Sequence, residues 1–155
     1  MLFITEENRK RLLSSNKPDN VRLQEISDRL KKVGLRPTRQ RLNIGRLLFG
    51  ATHRHITADN LFQEIQTTGE QLSLATIYNT LHHFSEAGLL RRICTGSERV
   101  YFDTDTGDHH HFYVQDEDRI VDAPAGDTII NRLPEAPDGY EIAKVDVVIH
   151  LKPKS

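Results

Sequence analysis

The chain has 155 residues, of which 37% are hydrophobic and 28% charged, the composition of a soluble globular protein with one ordinary domain or two small ones. No apolar run approaches the roughly 20 residues that span a bilayer, and charge interrupts the N-terminus too early for a signal peptide, so we expect a cytoplasmic protein without a membrane partner. Cys94 is the only cysteine, which excludes an internal disulfide and a cysteine-rich zinc cage.

The charge is distributed unevenly along the chain. Residues 1–100 contain 16 Lys and Arg against 10 Asp and Glu, whereas residues 101–155 contain 5 against 12. A basic half followed by an acidic half favours a nucleic-acid-binding module joined to a module with another role, although chance scatter over solvated faces gives the same counts.

Four helices are predicted in the basic half, after a flexible segment of residues 1–20. Apolar residues at three- and four-residue spacing predict a helix over residues 21–33, which ends at Gly34. Thr38, Thr57 and Ser73 each precede a further apolar helical pattern and are predicted N-caps. The expected inner faces are Leu23, Ile26 and Leu30; Leu42, Gly45, Leu48 and Phe49; Ala58, Leu61, Phe62 and Ile65; and Ile77, Leu81 and Phe84.

After Gly88 the period of the pattern changes. The alternating segments "LLRRIC" and "RVYFD" flank the polar turn "TGSE", which predicts a β-hairpin. Helices followed by a two-stranded wing are the order of a winged helix-turn-helix, which we assign to residues 21–103.

The acidic half, residues 104–155, predicts a β-β-α-β order. A strand over residues 109–114 turns into a strand over 119–122, a short helix covers 127–133, and a long apolar strand covers 140–149. About 50 residues are too few for a comfortable independent core, so we expect a homodimer through this half. The fold class is therefore α+β, an N-terminal winged helix-turn-helix followed by a small C-terminal α/β dimerisation domain.

The fourth helix is the candidate for reading double-stranded DNA. Its outward positions carry residue types that contact base edges or thymine methyl groups, and basic residues flank it. A winged helix can also bind proteins, and arginines on a hairpin are often only solvated. The candidate DNA-binding residues are Arg36, Arg39, Arg41, Ala75, Thr76, Tyr78, Asn79 and His82, with Arg91, Arg92 and Arg99 on the hairpin as further phosphate contacts.

Four segments occur in the order of a known family: "GLRPTRQRL", "HITADNLFQEI", "SLATIYNTLHHFSEAGLLRR" and "DHHHFY". They resemble the ferric uptake regulator superfamily of metal-responsive transcription factors, and within it the iron response regulator group of α-proteobacteria. The resemblance implies a dimeric repressor or activator of iron and haem genes at A·T-rich inverted repeats. It places a base-contacting tyrosine at Tyr78 and a minor-groove arginine at Arg36, and the position after the tyrosine, commonly Arg, is Asn79.

The resemblance also implies a divalent metal ion, Fe²⁺, Mn²⁺ or Zn²⁺, held between the two domains. Imidazole and carboxylate together suit these ions rather than Ca²⁺ or Mg²⁺. Thr95 replaces a further carboxylate usual in the wing, with Glu98 nearby as a shifted substitute. The CxxC structural zinc motif of the family is absent. At a second metal site of the family, His110 stands in place of an Asp ligand and Val145 in place of a His ligand. The implied ligands are His55, His109, His111 and Asp122.

Three interpretations of the "HHH" run remain open at this point. In the iron response regulator group the run is linked to haem, which would make His109, His110 and His111 haem ligands and haem or a haem-delivering protein a partner. The run also fits a site for a divalent metal alone, or a solvated cluster. Cys94 is followed by Thr95, so a Cys-Pro haem motif is missing.

Three rival functions are weighed against this interpretation. A zinc enzyme would need a general base or nucleophile motif, and none is found, so we expect no enzymatic activity. A winged-helix protein-interaction module would not need the basic stripe. A manganese-, zinc- or peroxide-responsive regulator of the same superfamily would differ in its effector only.

Overall fold

The structure is a computed structural model that describes residues 19–50, 52–124 and 130–155. These residues form two compact units, which divide between Thr106 and Gly107. Residues 1–18 of the predicted flexible segment lie outside the described residues, whereas residues 19 and 20 already belong to the first helix. Within the described ranges, none of the helices is long and apolar enough to cross a membrane.

The first unit contains four helices and three short strands. They are α1 (Asp19–Lys32), α2 (Arg39–Leu48), β1 (His55–Ile56), α3 (Ala58–Thr67), α4 (Leu74–Glu86), β2 (Arg91–Cys94) and β3 (Val100–Asp103). The four predicted helices and the predicted hairpin of β2 and β3 are confirmed.

The helices begin where the sequence places their caps. The side-chain oxygens of Thr38, Thr57 and Ser73 each accept a hydrogen bond from a backbone N–H in the first turn that follows. Each cap satisfies one of the N–H groups that a helix start leaves without an intrahelical partner. Gly88, with φ +79°, adopts the left-handed conformation that often follows a helix C-terminus.

The core of the first unit lies where the inner faces of these helices meet. Helix α1 packs on α2, and α3 packs on α4. The predicted inner residues of α4 are completely buried, and burial of side chains of this size stabilises a fold by about 1.5–3 kcal/mol each. Leu42, Phe49 and Phe62 are only partly buried, at the edge of the same cluster.

One strand of the first unit is absent from the prediction. The sheet has the order β1-β3-β2, so β3 is its central strand. The pairing of β1 with β3 sets His55 opposite Asp103. A strand of two residues is too short to show an alternation of apolar and polar residues, so β1 is recognised only from its pairing with β3.

The second unit contains three short strands. They are β4 (His111–Val114), β5 (Arg119–Asp122) and β6 (Val148–Leu151), in the order β5-β4-β6. The antiparallel β4–β5 hairpin is as predicted, except that its first strand begins at His111 rather than at residue 109. Strand β6 runs parallel to β4. Together the two units give the predicted α+β class.

Two predictions for the second unit are corrected. The strand expected over residues 140–149 is wrong, because only Val148–Leu151 pairs and Tyr140 is 79% exposed. A strand exists only where a neighbour supplies hydrogen bonds, and β4 offers four residues for pairing. Of the helix expected over residues 127–133, residues 127–129 lie outside the described residues, and residues 130–133 form no regular element.

We predict that Gly45→Ala lowers the free energy of unfolding by roughly 1 kcal/mol, although alanine is the better helix former. A Cβ at Gly45 would lie 2.7 Å from Cγ2 of Ile26. Overpacking costs about 1–3 kcal/mol, whereas the better helix propensity returns only about 1 kcal/mol. Urea denaturation followed by circular dichroism measures the difference.

The matched control is the same substitution in an Ile26→Ala background. Removal of the Ile26 side chain removes the clash, so Gly45→Ala is then expected to stabilise the chain. If Gly45→Ala stabilises the wild-type chain to the same extent, the close approach of α1 and α2 is not the constraint on this position.

Candidate metal centre and nucleic-acid interface

His55 lies on a strand that is fixed by its neighbour, Arg54. The backbone N–H of Arg54 donates to Oγ1 of Thr104 at 2.9 Å, and its carbonyl accepts from the backbone N–H of Thr104 at 3.1 Å. The Arg54 guanidinium forms two hydrogen bonds with the Glu64 carboxylate of α3 and donates to the carbonyl of Leu47 in α2 at 3.2 Å. Planar two-point pairing of this kind restricts both side chains. The backbone next to His55 is therefore anchored by Thr104, and the Arg54 side chain is anchored by α2 and α3.

Within the first unit, His55 contacts a buried carboxylate that sequence analysis missed. Nε2 of His55 lies 3.1 Å from Oδ2 of Asp103, which is 1% exposed. The other carboxylate oxygen, Oδ1, accepts the backbone N–H of Asp105 at 2.8 Å. The sequence does contain a signal for this residue, because Asp103 ends the apolar segment "RVYFD". A carboxylate that is buried at the end of a strand needs a partner.

Glu98, the substitute carboxylate proposed in the wing, is not in the group of possible metal ligands that contains His55 and Asp103. Thr95 is buried, and its hydroxyl is 2.8 Å from that of Ser97, whereas Glu98 is exposed. The carboxylate of this unit that pairs with His55 is Asp103, eight residues further along the chain than Thr95.

The second unit brings three predicted ligands together. Nε2 of His109 is 3.1 Å from Oδ1 of Asp122, and Nε2 of His111 is 3.5 Å from the same oxygen. The imidazole rings of His109 and His111 meet edge to face, with centroids 4.4 Å apart. One ligand atom from each of the three residues lies within 4.8 Å of the others. The β4–β5 register, which pairs His111 with Asp122, creates this arrangement.

The tautomer of His109 follows from its other ring nitrogen. Nδ1 of His109 lies 2.9 Å from the carbonyl oxygen of Gly107, which only accepts, so Nδ1 carries the proton. In the neutral imidazole the lone pair of Nε2 then faces the carboxylate of Asp122, an arrangement in which a cation can be bound by both groups. A second partner that fixes the tautomer is typical of metal-binding histidines, so the donor set fits Fe²⁺, Mn²⁺ or Zn²⁺.

His110 does not share this arrangement. Its Nδ1 is buried without a hydrogen-bond partner among the described residues, and its carbonyl accepts from the backbone N–H of Ala123 at 2.9 Å. The contacting rings of His109 and His111 leave no space for a flat porphyrin between them, so they do not serve as opposite axial ligands of one haem iron.

Helix α4 has one buried and one exposed face, as expected for a reading helix. Ala75, Tyr78, Asn79 and His82 are exposed. Thr76 is partly buried, and its hydroxyl is 2.9 Å from that of the cap residue Ser73, so part of its hydrogen-bonding capacity is used within the protein. Four of the five candidates on α4 are therefore accessible to a partner.

The basic candidate residues differ in their exposure and in the contacts that they form within the protein. Arg36 is exposed, Arg39 lies 3.5 Å from Glu70, and Arg41 donates to the carbonyl of Arg36 at 3.0 Å. Arg92 and Arg99 of the hairpin are exposed. The expectation for Arg91 is wrong, because β2 alternates and this side chain points into the protein, where it is only 6% exposed.

Comparison with known proteins agrees with these features. The model of the ferric uptake regulator family matches residues 32–150. The chain is 36% identical over 100 residues to the peroxide-responsive repressor PerR of Staphylococcus epidermidis, which covers 64% of this chain and 66% of that relative. The match thus spans just under two thirds of the relative's length.

Solved structures of similar fold include two ferric uptake regulators. That of Pseudomonas aeruginosa, solved with manganese, is 25% identical with a TM-score of 0.62, covering 84% of this chain and 98% of that one. That of Vibrio cholerae is 22% identical with a TM-score of 0.61, covering 82% and 98%, and supports the fold alone.

We predict that Asp122→Ala weakens Mn²⁺ binding by at least about tenfold in isothermal titration calorimetry. Loss of an outer-shell partner alone typically costs about 10- to 100-fold in metal affinity, and Asp122 contacts both histidines directly. Because Asp122 is exposed, its removal leaves the core intact. Asp138→Ala, which removes an exposed carboxylate elsewhere in the unit, is the control, and equal affinities for both variants would contradict the assignment.

Proposed function

The chain belongs to the ferric uptake regulator family, and from that premise we propose that it is a metal-responsive transcription regulator that binds A·T-rich inverted repeats in double-stranded DNA as a homodimer. The observation that supports this most directly is the His109, His111 and Asp122 cluster, whose ligand atoms lie within 4.8 Å. Exposed residues of α4 and the exposed arginines supply the DNA-binding surface of the proposal.

The homodimer is proposed to form through the second unit. This unit is too small to bury all of its apolar side chains, and several large ones are exposed. They are Ile130, Leu133, Tyr140, Ile142 and Leu151. A second copy would cover such residues, and two reading helices would then match the two halves of an inverted repeat.

The regulatory ion is proposed to be held by His109, His111 and Asp122. The family resemblance adds His55 as a further proposed ligand. A bound divalent ion supplies positive charge that neutralises the carboxylates beside these imidazoles. Since the Arg54 pairing with Glu64 holds the strand of His55, that histidine is presented from a fixed backbone.

We propose iron, with haem as a second effector, as the physiological signal. The support is the resemblance of the "DHHHFY" segment to the iron response regulator group. In this proposal haem competes for one of the three histidines, His109, His110 or His111, and displaces the protein from DNA. Iron and haem genes would then be its targets.

A peroxide-responsive repressor is the alternative that a specific observation favours. The staphylococcal relative described as the peroxide-responsive repressor PerR is 36% identical over 100 residues. The two proposals share the DNA-binding and metal-binding surfaces and differ only in the signal. A zinc enzyme and a protein-interaction module are less well supported, because the chain falls within a family named for regulation.

Arg36→Ala is expected to weaken binding of a fluorescent A·T-rich inverted-repeat duplex in a Mn²⁺-dependent anisotropy assay. The negative potential of a narrow A·T-rich minor groove attracts an arginine, so loss of Arg36 lowers the affinity and, since one cationic contact is removed, reduces the slope of log affinity against log salt by about 1. Arg132→Ala, an exposed arginine of the second unit, is the control. Wild-type binding that is unaffected by a chelator, or that shows no salt dependence, would contradict the proposed function.

Two further additions to the same assay separate the signals. Release of the iron-loaded wild-type protein from DNA by haem would support the haem proposal. Release by hydrogen peroxide with no effect of haem would replace it with the peroxide response.

His55→Ala is expected to weaken Mn²⁺ binding in calorimetry to about the same extent as Asp122→Ala, because both are proposed ligands of one ion. The control is His53→Ala, which removes an exposed imidazole two residues away. Unchanged affinity in His55→Ala would limit the metal site to the second unit.

A further inference from the structure

Two large apolar side chains stand out on the surface of the first unit. Among its described residues, only Leu74 and Tyr78 combine a large hydrophobic side chain with high exposure, at 41% and 42%. Both belong to α4. Among the described side chains of the four helices, the other large apolar residues lie in the core or partly against it, except Leu23, which is partly buried. Because the unit buries nearly all of its other large apolar side chains, the exposure of these two indicates an interaction site.

Their spacing places the two side chains on one face. Leu74 is the first residue of α4 and Tyr78 lies four residues later, so they are neighbours one turn apart. Ile77, Leu81 and Phe84 are completely buried and fix the rotation of the helix, which holds the exposed pair outward. We call Leu74 and Tyr78 the apolar strip.

The surroundings of the apolar strip favour DNA as its occupant. Arg39 and Gln40 line a cleft together with residues 68–72, which end two residues before Leu74. Arg39 lies 3.5 Å from Glu70 of the same cleft, but its side chain is 86% exposed, and Arg36 close to it in sequence is exposed as well. Two apolar side chains are far smaller than the roughly 800 Å² per partner of a stable protein interface, whereas a duplex brings its own phosphates to the arginines.

We propose that the apolar strip reads thymine methyl groups, with Leu74 as a specificity-determining residue in addition to Tyr78. This inference rests on the proposed DNA-binding function and extends it to a residue that the sequence analysis did not single out. The C5-methyl of thymine is the apolar group among the base-edge features of the major groove, and an aliphatic side chain favours it over a donor or acceptor.

The dimensions agree with a pair of neighbouring thymines. Four residues advance about 6 Å along a helix, and bases on one strand are about 3.4 Å apart, so the strip spans about two base steps. N-terminal residues of a recognition helix are those that contact base edges, and Leu74 occupies the first helical position. Leu74 and Tyr78 therefore contact different thymines, no more than about two base pairs apart.

The experiment is a thymine-to-deoxyuridine scan of the A·T-rich inverted-repeat duplex, since deoxyuridine lacks only the methyl group. Each thymine is replaced in both half-sites, and the affinity of the Mn²⁺-loaded chain is measured by anisotropy. For the wild type we expect a loss of about fourfold per methyl in each half-site at two neighbouring positions. Leu74→Ala is expected to lose the sensitivity at one position and to keep it at the other, while Tyr78→Ala shows the converse.

Leu74→Met is the matched control, because it keeps an apolar side chain at the same position and should retain most of the sensitivity to the methyl group. Leu74→Ala with the same methyl sensitivity as wild type at every position overturns the inference while the proposed function stands. Wild-type protein that binds no duplex specifically overturns both. Unchanged thermal unfolding of Leu74→Ala shows that any loss of sensitivity is not a loss of fold.

Discussion

The pairing of β1 with β3 is the constraint on which the first unit depends. Strand β3 is central, so it holds the hairpin partner β2 on one edge and the two-residue strand of His55 on the other. This pairing sets His55 opposite Asp103, and Arg54 extends the connection to α2 and α3 through Leu47 and Glu64. His55, the predicted ligand most distant in sequence from the other three, is thereby held by the same contacts that position the helices.

In the second unit, a small sheet brings two imidazoles and a carboxylate together. The β4–β5 register pairs His111 with Asp122, and the Gly107 carbonyl fixes the tautomer of His109. Imidazole nitrogens and a carboxylate in one cluster are the ligand types that divalent transition-metal ions take. His110, which lies between these residues in sequence, is excluded from the cluster.

Helix α4 connects the core of the first unit to its proposed function. Its inner residues are buried, and this burial fixes which side chains face outward. A reading helix benefits from that rigidity, because side chains that are already oriented lose less entropy on binding. The same helix that stabilises the core therefore presents Leu74, Tyr78 and Asn79 in a defined order.

Much of the first unit was determined by local sequence alone. The caps Thr38, Thr57 and Ser73 and the inner face of α4 follow from interactions within a few residues, as does the β2–β3 hairpin. Strand β1, the partner Asp103, the burial of Arg91 and the short extent of β6 were decided by the tertiary structure. The burial of Arg91 depends on which face of the β2–β3 hairpin packs inward. Strand β1, Asp103 as the partner of His55, and the extent of β6 each depend on a hydrogen-bonding strand that is distant in sequence, and a periodic pattern records which residues can pair but not which neighbour is present to pair with them.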